Sequence, residues 1–287
     1  MTGAILSIQS HVAFGHVGNS AAAFTLQRMG FPVHAVHTVT LSSHKGYPGW
    51  RGVELKAADV AGIIDGIAEL GVLGDTVALL SGYLGDPGMG RAVLHALDRL
   101  REARSDALFL CDPVMGDRDC GFFVDPAIPG FFRDEMIARA DIITPNAFEL
   151  GVLADRPATD LTSITAAAKV LLERGPKLVV VTSAEIDGSN DELATLAVSA
   201  KEAWLLRAPR LPVSLNGTGD TFAALFLGHF LRTDSVRTAL EMAGSIMFEL
   251  VERTMQAGSR EPRLIEMQET LLAPSRRLVA EPLHTGG

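Results

Sequence analysis

The chain alternates short apolar runs with longer segments of helical periodicity. The apolar runs have no alternating polar face, a pattern typical of parallel strands that are covered on both sides. They predict strands at Ala4–Ile8, Pro32–Val36, Thr76–Leu80, Ala107–Leu110, Ile142–Thr144 and Leu178–Val181. The helical segments are Ala21–Gly30, Val53–Leu70, Asp86–Arg104, Ile164–Glu173, Thr221–Leu231 and Val236–Met255. This alternation predicts an α/β protein with helices on both faces of a mostly parallel sheet.

The pattern changes in the last third of the chain. Leu193–Val198 and Trp204–Leu206 are apolar runs joined by the short segment Ser199–Glu202, which predicts an antiparallel hairpin at the edge of the sheet. The segment after Gly258 is polar, and we expect a flexible tail beyond about residue 273, with His284–Gly287 disordered. No Ser/Gly/Pro-rich linker divides the chain, so we predict one domain over residues 1–287.

Composition and charge exclude several classes of protein. Of 287 residues, 47% are hydrophobic and 21% are charged, which excludes global disorder. The net charge of −9 is repelled by phosphates, so nucleic-acid binding and anionic membranes are disfavoured. Cys111 and Cys120 form neither a disulfide framework nor a zinc-ligand spacing. Because there is no signal peptide and no apolar run of the ~18 residues that span a membrane, we expect a cytoplasmic protein.

Polar residues follow the carboxyl ends of several predicted strands, which is where open parallel sheets bind ligands. These residues are Ser10, Ser81–Tyr83, Asp112, Thr144–Asn146 and Thr182–Ser183. Ordinary turn chemistry accounts for any one of these positions equally well. Their recurrence along the sheet favours a binding site.

The most informative segment, Asn216–Phe222, reads Asn-Gly-Thr-Gly-Asp-Thr-Phe and precedes an apolar helix. Gly217 and Gly219 let the backbone approach a ligand, and the free N–H groups of a helix N-terminus bind anions. Asp220 can accept a proton from an attacking hydroxyl while the amides hold charge on a transferring phosphoryl group. Alternatively, Asp220 only caps the helix. The chain has no P-loop and no dinucleotide, zincin or nucleophile-elbow motif.

A set of motifs resembles those of pyridoxal kinases, which belong to the ribokinase-like superfamily. The resemblance is collinear from about residue 4 to about residue 270. It rests on Ser7–Val12, Gly15–Asn19, Ser42-x-His44, Tyr47-x-x-Trp50, Ser81–Tyr83, Cys111–Asp117, Asp141–Glu149, Val181–Ser183 and Gly217–Asp220. The Asp-Pro-Val-x-Gly-Asp and Thr-Pro-Asn-x-x-Glu motifs are shared with hydroxymethylpyrimidine kinases. The opening segment and the His44–Trp50 loop are more specific to pyridoxal kinases.

The resemblance implies a ribokinase-like three-layer sandwich and the phosphorylation of the 5′-hydroxyl of pyridoxal by ATP with Mg²⁺. It implies that Asp220 is the catalytic base and that Gly217–Gly219 form the anion hole. Ser10 would bond to ring substituents and Tyr83 would pack on the ring face. The loop that carries His44 would cover the substrate.

The nucleotide side follows from the same resemblance. Asp112 and Glu149 would act on the metal and phosphates, directly or through water. The nucleotide would contact Thr144, Thr182, Ser183 and Thr218, with Ala208, Pro209 and Leu211 as candidates near the adenine. The resemblance also implies a homodimer, and the family often requires a monovalent cation.

Structural alternatives stand beside these roles. Tyr83 can be a core aromatic, Asp112 and Ser10 can be turn residues, and Glu149 can complete a capping box. Lys45 departs from the family, which usually has Thr after the His. We hypothesise that Lys45 contacts the phosphate or forms a reversible imine with the aldehyde; alternatively, its ammonium points into water.

Two other functions fit the same motifs. A hydroxymethylpyrimidine kinase or another ribokinase-like small-molecule kinase would share the phosphate machinery but would need a different substrate pocket. A vitamin B6 binding protein with weak turnover would keep the pocket and lose efficient transfer, although the intact Gly217–Asp220 segment argues against it.

Overall fold

A computed structural model of the chain describes residues 3–185 and 191–283. The strands are β1 Ala4–Val12, β2 Val33–Leu41, β3 Gly52–Glu54, β4 Thr76–Ser81, β5 Leu108–Cys111, β6 Gly116–Asp117, β7 Gly121–Phe122, β8 Ile142–Ile143, β9 Leu178–Ala184, β10 Glu192–Ser199, β11 Ala203–Pro209 and β12 Glu281–Pro282. The α-helices are α1 Asn19–Arg28, α2 Ala57–Glu69, α3 Pro87–Ala103, α4 Ile128–Phe131, α5 Ala147–Ala154, α6 Leu161–Leu172, α7 Thr218–Thr233 and α8 Val236–Gln256. A 3₁₀ turn covers Val72–Asp75, and an irregular turn of π and 3₁₀ type follows α4 at Phe132–Arg139.

The central sheet has ten strands in the order β12-β11-β10-β9-β8-β5-β4-β1-β2-β3. The six strands from β9 to β2 in that order run parallel to their neighbours. At one edge β10, β11 and β12 continue the sheet antiparallel, and at the other edge β3 pairs antiparallel with β2. The predicted mostly parallel sheet and its edge hairpin are therefore confirmed.

Both faces of the sheet are covered, which explains why the strands have no polar face. Leu6 and Leu79 point to one side, where they pack with α2, α3, α5 and α6. Ile5 and Leu80 point to the other side, where they pack with α1, α7 and α8. Successive strand residues thus supply two separate apolar cores. Among the described helices, none is both long enough and apolar enough to cross a membrane.

The prediction of a helix over Val53–Leu70 is wrong at its start. Val53 lies in β3, and α2 begins only at Ala57. Val53 is exposed, so its apolar side chain does not belong to a buried helix face. These residues form an edge strand because they pair with β2. Gly52 lies so close to β2 that a Cβ on it would lie 2.2 Å from the Thr40 carbonyl oxygen. Such long-range pairing leaves no mark in the local pattern.

Residues 274–283, which the sequence predicts to be flexible, are held against the rest of the protein. Ser275 donates from its N–H and its hydroxyl to Glu249, at 2.8 and 2.9 Å. Arg277 pairs with buried Glu241 at 2.8 Å, and β12 adds a short antiparallel strand beside β11. The prediction for His284–Gly287 lies outside the described residues. The single domain over the whole chain stays a prediction.

Candidate active site

A cavity of about 1080 Å³ runs along the carboxyl ends of the central strands. Its lining includes every candidate site residue: Ser10, His44, Lys45, Tyr83, Asp112, Thr144, Glu149, Thr182, Ser183, Ala208, Pro209, Leu211, Gly217, Thr218, Gly219 and Asp220. The fold thus brings together residues from most of the length of the chain, as the strand-end rule predicts. The role of each residue stays a prediction.

One end of the cavity is apolar. Val12, Val17, Val39 and Leu41 form a small buried cluster at the ends of β1 and β2, and Tyr83 packs against it. All five residues line the cavity. This end suits a flat, largely apolar ligand that is held by a few polar anchors.

The first turn of α7 provides donors for an anion. The first hydrogen bond that closes this turn runs from the Thr221 N–H to the Gly217 carbonyl at 3.0 Å, so residues 218–220 have no carbonyl of their own helix to bond to. The cap residue Gly217 has φ 81° and no side chain to fill this role. The alternative that Asp220 only caps the helix is therefore not supported, because Asp220 lies in the first turn, after the cap. Backbone amides at this position suit a phosphate.

Two glycines of this segment differ in how tightly they are packed. A Cβ on Gly217 would lie 1.8 Å from the carbonyl oxygen of His16, a distance that no side chain tolerates. A Cβ on Gly219 would meet only an oxygen of Asp112, at 3.9 Å. Gly217 is thus required by the backbone, whereas Gly219 leaves open space between α7 and Asp112.

Asp220 is a partly buried carboxylate at the start of α7. Burial raises the pKa of Asp220 above its usual value and outweighs the backbone N–H of Gly18, which acts in the opposite direction. A raised pKa brings the carboxylate nearer to the range in which a general base works at neutral pH.

Asp112 lies opposite the first turn of α7. One of its carboxylate oxygens accepts a hydrogen bond from the Thr144 hydroxyl at 2.9 Å, and the other lies on the side of Gly219. Burial, together with the nearby charges of Glu149 and Asp220, raises the pKa of Asp112 well above its usual range. The site therefore concentrates negative charge that a cation would relieve.

Glu149 completes a capping box on α5. Its carboxylate accepts hydrogen bonds from the N–H groups of Met115 and Asn146, both at 2.9 Å, while Asn146 accepts from the Glu149 N–H. The structural alternative for this residue is therefore present, and it coexists with a place in the cavity lining. Burial outweighs these donors and raises the pKa of Glu149 to about 7.

A metal held by protein atoms alone is not found. Within residues 3–185 and 191–283 there is no group of three His, Cys, Asp or Glu side chains that could hold a metal ion. A divalent cation between Asp112 and α7 would need further oxygens from a bound substrate, which is the usual arrangement for Mg²⁺ in phosphoryl-transfer sites.

The ammonium of Lys45 is held by other side chains. It pairs with Glu54 at 2.8 Å and lies over the rings of Trp50 and Tyr83, 5.2 and 5.8 Å from their centroids. Hydrogen bonds and the charge of Glu54 raise the pKa of Lys45 despite the opposing effect of burial. A protonated amine is not a nucleophile, so this arrangement favours an ion pair over an imine.

The other end of the cavity carries the candidate nucleotide residues. Thr182 and Ser183 end β9, where the Thr182 N–H donates to the Pro145 carbonyl at 2.9 Å. Ser183 has a positive φ of 52°, a conformation that is uncommon outside glycine and often found at ligand sites. Ala208 and Pro209 end β11 on the same side.

Several lining residues were not expected from the sequence. Met247, Phe248 and Val251 of α8 form an apolar wall, but their spacing reads as an ordinary covering helix. Arg118 and Arg210 also line the cavity, and each is paired with Glu185. No local signal marks such residues, because their position depends on how distant segments pack.

Gly18 is a further candidate residue, which the motifs mark but to which the sequence analysis assigns no role. It lies within the Gly15–Asn19 motif, and its backbone N–H lowers the pKa of Asp220 against the larger effect of burial. A Cβ on Gly18 would lie 2.2 Å from the carbonyl oxygen of Ser10. Gly18 therefore lies between Ser10, the candidate substrate-binding residue, and Asp220, the candidate base.

Comparison with known proteins first defines the class. The family model described as phosphomethylpyrimidine kinase matches residues 75–263, more than half of the chain. This match covers the buried carboxylates and the first turn of α7. It agrees with the motifs that the sequence shares with hydroxymethylpyrimidine kinases.

Individual relatives are more specific. The chain is 48% identical to a pyridoxal kinase of Rubrobacter xylanophilus over 95% of each sequence. It is 44% identical to a pyridoxal kinase of Corynebacterium diphtheriae over 97% of the chain and 99% of the relative. The structure of a pyridoxal kinase from Leishmania donovani in complex with ADP and pyridoxamine is similar with a TM-score of 0.92, at 33% identity and covering 98% of this chain and 99% of that one. The chain therefore belongs to the pyridoxal kinase family, as its motifs predict.

Proposed function

We propose that the protein transfers the γ-phosphoryl group of ATP to the 5′-hydroxyl of pyridoxal, yielding pyridoxal 5′-phosphate and ADP. The observation that carries this proposal is the position of Asp220. It lies in the anion-binding first turn of α7, between Gly18, which packs against Ser10, and Asp112, whose charge interacts with it. The similarity to pyridoxal kinases supports ATP and pyridoxal as the two substrates.

The apolar end of the cavity binds the pyridine ring. Tyr83 and the cluster around Val12 offer a flat surface, and Ser10 at the end of β1 offers a hydroxyl to the ring substituents. The loop between β2 and β3, residues 42–51, contributes His44 and Lys45 to the same end and is called the substrate lid from here on. These contacts orient the 5′-hydroxyl toward Asp220.

Asp220 accepts the proton of the 5′-hydroxyl as its oxygen attacks the γ-phosphorus. The bond between that phosphorus and the β–γ bridging oxygen breaks, and its electron pair leaves with ADP. The N–H groups of residues 218–220 hold the charge that develops on the transferring phosphoryl oxygens. Base and anion site lie in the same helical turn, so one backbone segment orients both.

The donor set fits Mg²⁺ that is shared with the nucleotide. Asp112 would offer the oxygen that lies toward Gly219, and Glu149, whose oxygens already accept backbone N–H groups, would act through water. When bound, Mg²⁺ neutralises charge on the phosphates. The family often requires a monovalent cation. Exchanging K⁺ for Na⁺ in an assay of ADP release tests whether this protein does.

The nucleotide occupies the other end of the cavity. Hydroxyl groups at the strand ends and in α7 face its polar parts; they belong to Thr144, Thr182, Ser183 and Thr218. The adenine lies against the small apolar surface of Ala208, Pro209 and Leu211. The apolar wall of α8 extends this surface.

The setting of the protein is proposed on similar grounds. A single domain, a homodimer and a cytoplasmic location are the arrangement that the resemblance and the composition favour. Both cysteines are free, Cys111 buried and Cys120 exposed, which is typical of a reducing compartment. Light scattering of the full chain measures the oligomeric state.

A coupled assay of ADP release tests the proposed function. With ATP and Mg²⁺, we expect turnover on pyridoxal and loss of turnover in Asp220→Ala, with pyridoxal binding largely kept. Pyridoxine, pyridoxamine and hydroxymethylpyrimidine complete the substrate panel. A preference for hydroxymethylpyrimidine would favour the alternative kinase, and saturable pyridoxal binding without ADP release would favour a binding protein.

A further inference from the structure

A single carboxylate outside the described machinery joins two loops of the active site. Glu261 follows α8, and one of its oxygens accepts a hydrogen bond from the Tyr47 hydroxyl at 2.5 Å. Its other oxygen accepts a hydrogen bond from the His16 N–H at 3.0 Å. Tyr47 belongs to the substrate lid, whereas His16 belongs to the loop between β1 and α1.

The surroundings of Glu261 are built around these two bonds. A Cβ on Gly15 would lie 2.3 Å from the carboxylate, so the loop approaches it as closely as only a glycine allows. Arg260 lies over the Tyr47 ring at 4.8 Å, and Phe14 meets the same ring edge-on at 5.8 Å. The Tyr47 ring is thus contacted by two side chains, and its hydroxyl is hydrogen-bonded as well.

The loop between β1 and α1 leads from Glu261 to the reacting groups. The His16 carbonyl packs on Gly217, the residue that opens the anion site. Two residues further on, Gly18 lies against Ser10, and its backbone N–H acts on the charge of Asp220. A displacement of His16 would therefore reach both the anion site and the candidate base.

We propose that Glu261 is a positioning residue for phosphoryl transfer, which holds the substrate lid through Tyr47 and aligns the anion site through His16. The inference rests on the proposed function, because it assigns the lid to pyridoxal and α7 to the phosphoryl group. Glu261 itself touches neither substrate in this arrangement. Its two bonds have different consequences, so they can be separated by mutation.

Three variants separate the two bonds. Tyr47→Phe removes only the bond to the lid and keeps the ring. Glu261→Ala removes both bonds. Glu261→Gln keeps an oxygen for the His16 N–H and offers an amide donor to the Tyr47 oxygen, so it is the conservative rescue. Glu269→Ala is the matched control, because Glu269 follows in the same segment but is exposed and, among the described residues, forms its ion pair with Arg28.

Steady-state kinetics in the ADP-release assay give the first measurement. We expect Tyr47→Phe to raise the KM for pyridoxal about tenfold with kcat nearly unchanged, since a bond to a charged acceptor is lost. Glu261→Ala raises the same KM and also lowers kcat about tenfold, because the anion site loses its support. Glu261→Gln recovers most of both values, and the KM for ATP stays within about twofold throughout.

Limited trypsin digestion gives a measurement that does not depend on turnover. The substrate lid contains Lys45 and Arg51, so cleavage there reports how often the lid opens. Without substrates, we expect faster cleavage at these two sites in Tyr47→Phe and Glu261→Ala than in wild type and Glu269→Ala. Mass spectrometry of the fragments identifies the sites.

The outcomes distinguish this inference from the proposed function. If wild type turns over and Glu261→Ala matches Glu269→Ala in KM, kcat and cleavage, the inference is overturned and the proposed function stands. If wild type releases no ADP with pyridoxal, the proposed function fails, and the cleavage rates still decide whether Glu261 holds the lid. If Glu261→Ala does not fold, Tyr47→Phe decides: an unchanged KM and cleavage rate overturn the inference.

Discussion

The same substitution at two glycines of one turn should have opposite effects on stability. Gly217 has φ 81°, and a Cβ there would lie 1.8 Å from the His16 carbonyl oxygen. Gly219 lies two residues further on, within α7, and a Cβ there would meet only Asp112 at 3.9 Å. We therefore compare Gly217→Ala with Gly219→Ala.

The magnitude follows from backbone strain and overlap. An alanine held at positive φ costs about 1–3 kcal/mol, and forcing extra volume into a packed position typically costs about 1–3 kcal/mol more. For Gly217→Ala we expect a loss of at least about 2 kcal/mol in the free energy of unfolding. At about 2–4 °C per kcal/mol, the melting temperature falls by at least about 4 °C. For Gly219→Ala we expect no loss, and a gain of up to about 1 kcal/mol, because alanine favours a helix.

Activity separates the two variants in a second way. In Gly217→Ala the displaced turn no longer presents its amides correctly, and loss of one such donor lowers kcat by about 10²–10³-fold. In Gly219→Ala the new methyl group fills space between α7 and Asp112, so the KM for ATP rises while the fold stays intact. Thermal melts and the ADP-release assay measure these quantities on the same samples.

The two glycines also provide the refutation. If Gly217→Ala had the melting temperature and the kcat of wild type, the close approach to His16 would not affect the free energy of unfolding. If Gly219→Ala lost as much stability as Gly217→Ala, open space at Gly219 would be the wrong description. Either result would remove the argument that residues 217–219 form a rigid anion site.

Three further predictions concern titratable groups. Asp220→Asn keeps the size of the side chain but cannot take up the proton, so we expect kcat to fall about 10²–10⁴-fold with pyridoxal binding retained; binding and ADP release measure this. Burial raises the pKa of Glu149 to about 7 from an ordinary 4.5, so the folded chain keeps a proton that the unfolded chain has lost. Relative to Glu149→Gln, the melting temperature of wild type measured without Mg²⁺ should therefore fall as pH rises from about 4.5 to 7 and then level off. Exposed Cys120 should react with a thiol reagent in the native protein, whereas Cys111, whose pKa is raised by complete burial, reacts only after unfolding.

The parts of the fold that were predictable are those with a strong local pattern. The parallel strands bury both faces, so their apolar runs stand out, and the edge hairpin around Ser199–Glu202 was predicted from two runs and a polar turn. The strands β3, β6 and β7 were missed because each has only two or three residues, mostly exposed or half-buried. Pairing with a neighbour, not local propensity, makes them strands.

The candidate site likewise contains residues that the sequence pattern marks and one that it does not. Ser10, Asp112 and Thr182 could be found because the carboxyl ends of parallel strands meet at one edge of a sheet. Glu261 could not be found in this way, since it lies 245 positions from His16 and 214 from Tyr47. Its contacts exist only because the segment after α8 returns to the mouth of the cavity.

Charge at the cavity explains why one helical turn matters so much. The chain carries a net charge of −9, and the site holds the buried carboxylates of Asp112 and Glu149 and the partly buried carboxylate of Asp220, all with raised pKa values. Basic side chains also line the cavity, but Lys45 is paired with Glu54, and two arginines are paired with Glu185.

Glu54 therefore balances Lys45, whereas the two arginines share the single charge of Glu185 and leave one net positive charge at their end of the cavity. Backbone amides carry partial positive charge without any counter-ion, and their orientation is fixed once the chain at Gly217 is fixed. A divalent cation bound with the nucleotide supplies the remaining charge. The close packing of His16 on Gly217 thus fixes the orientation of these amides, which is the property that lets them bind a phosphate.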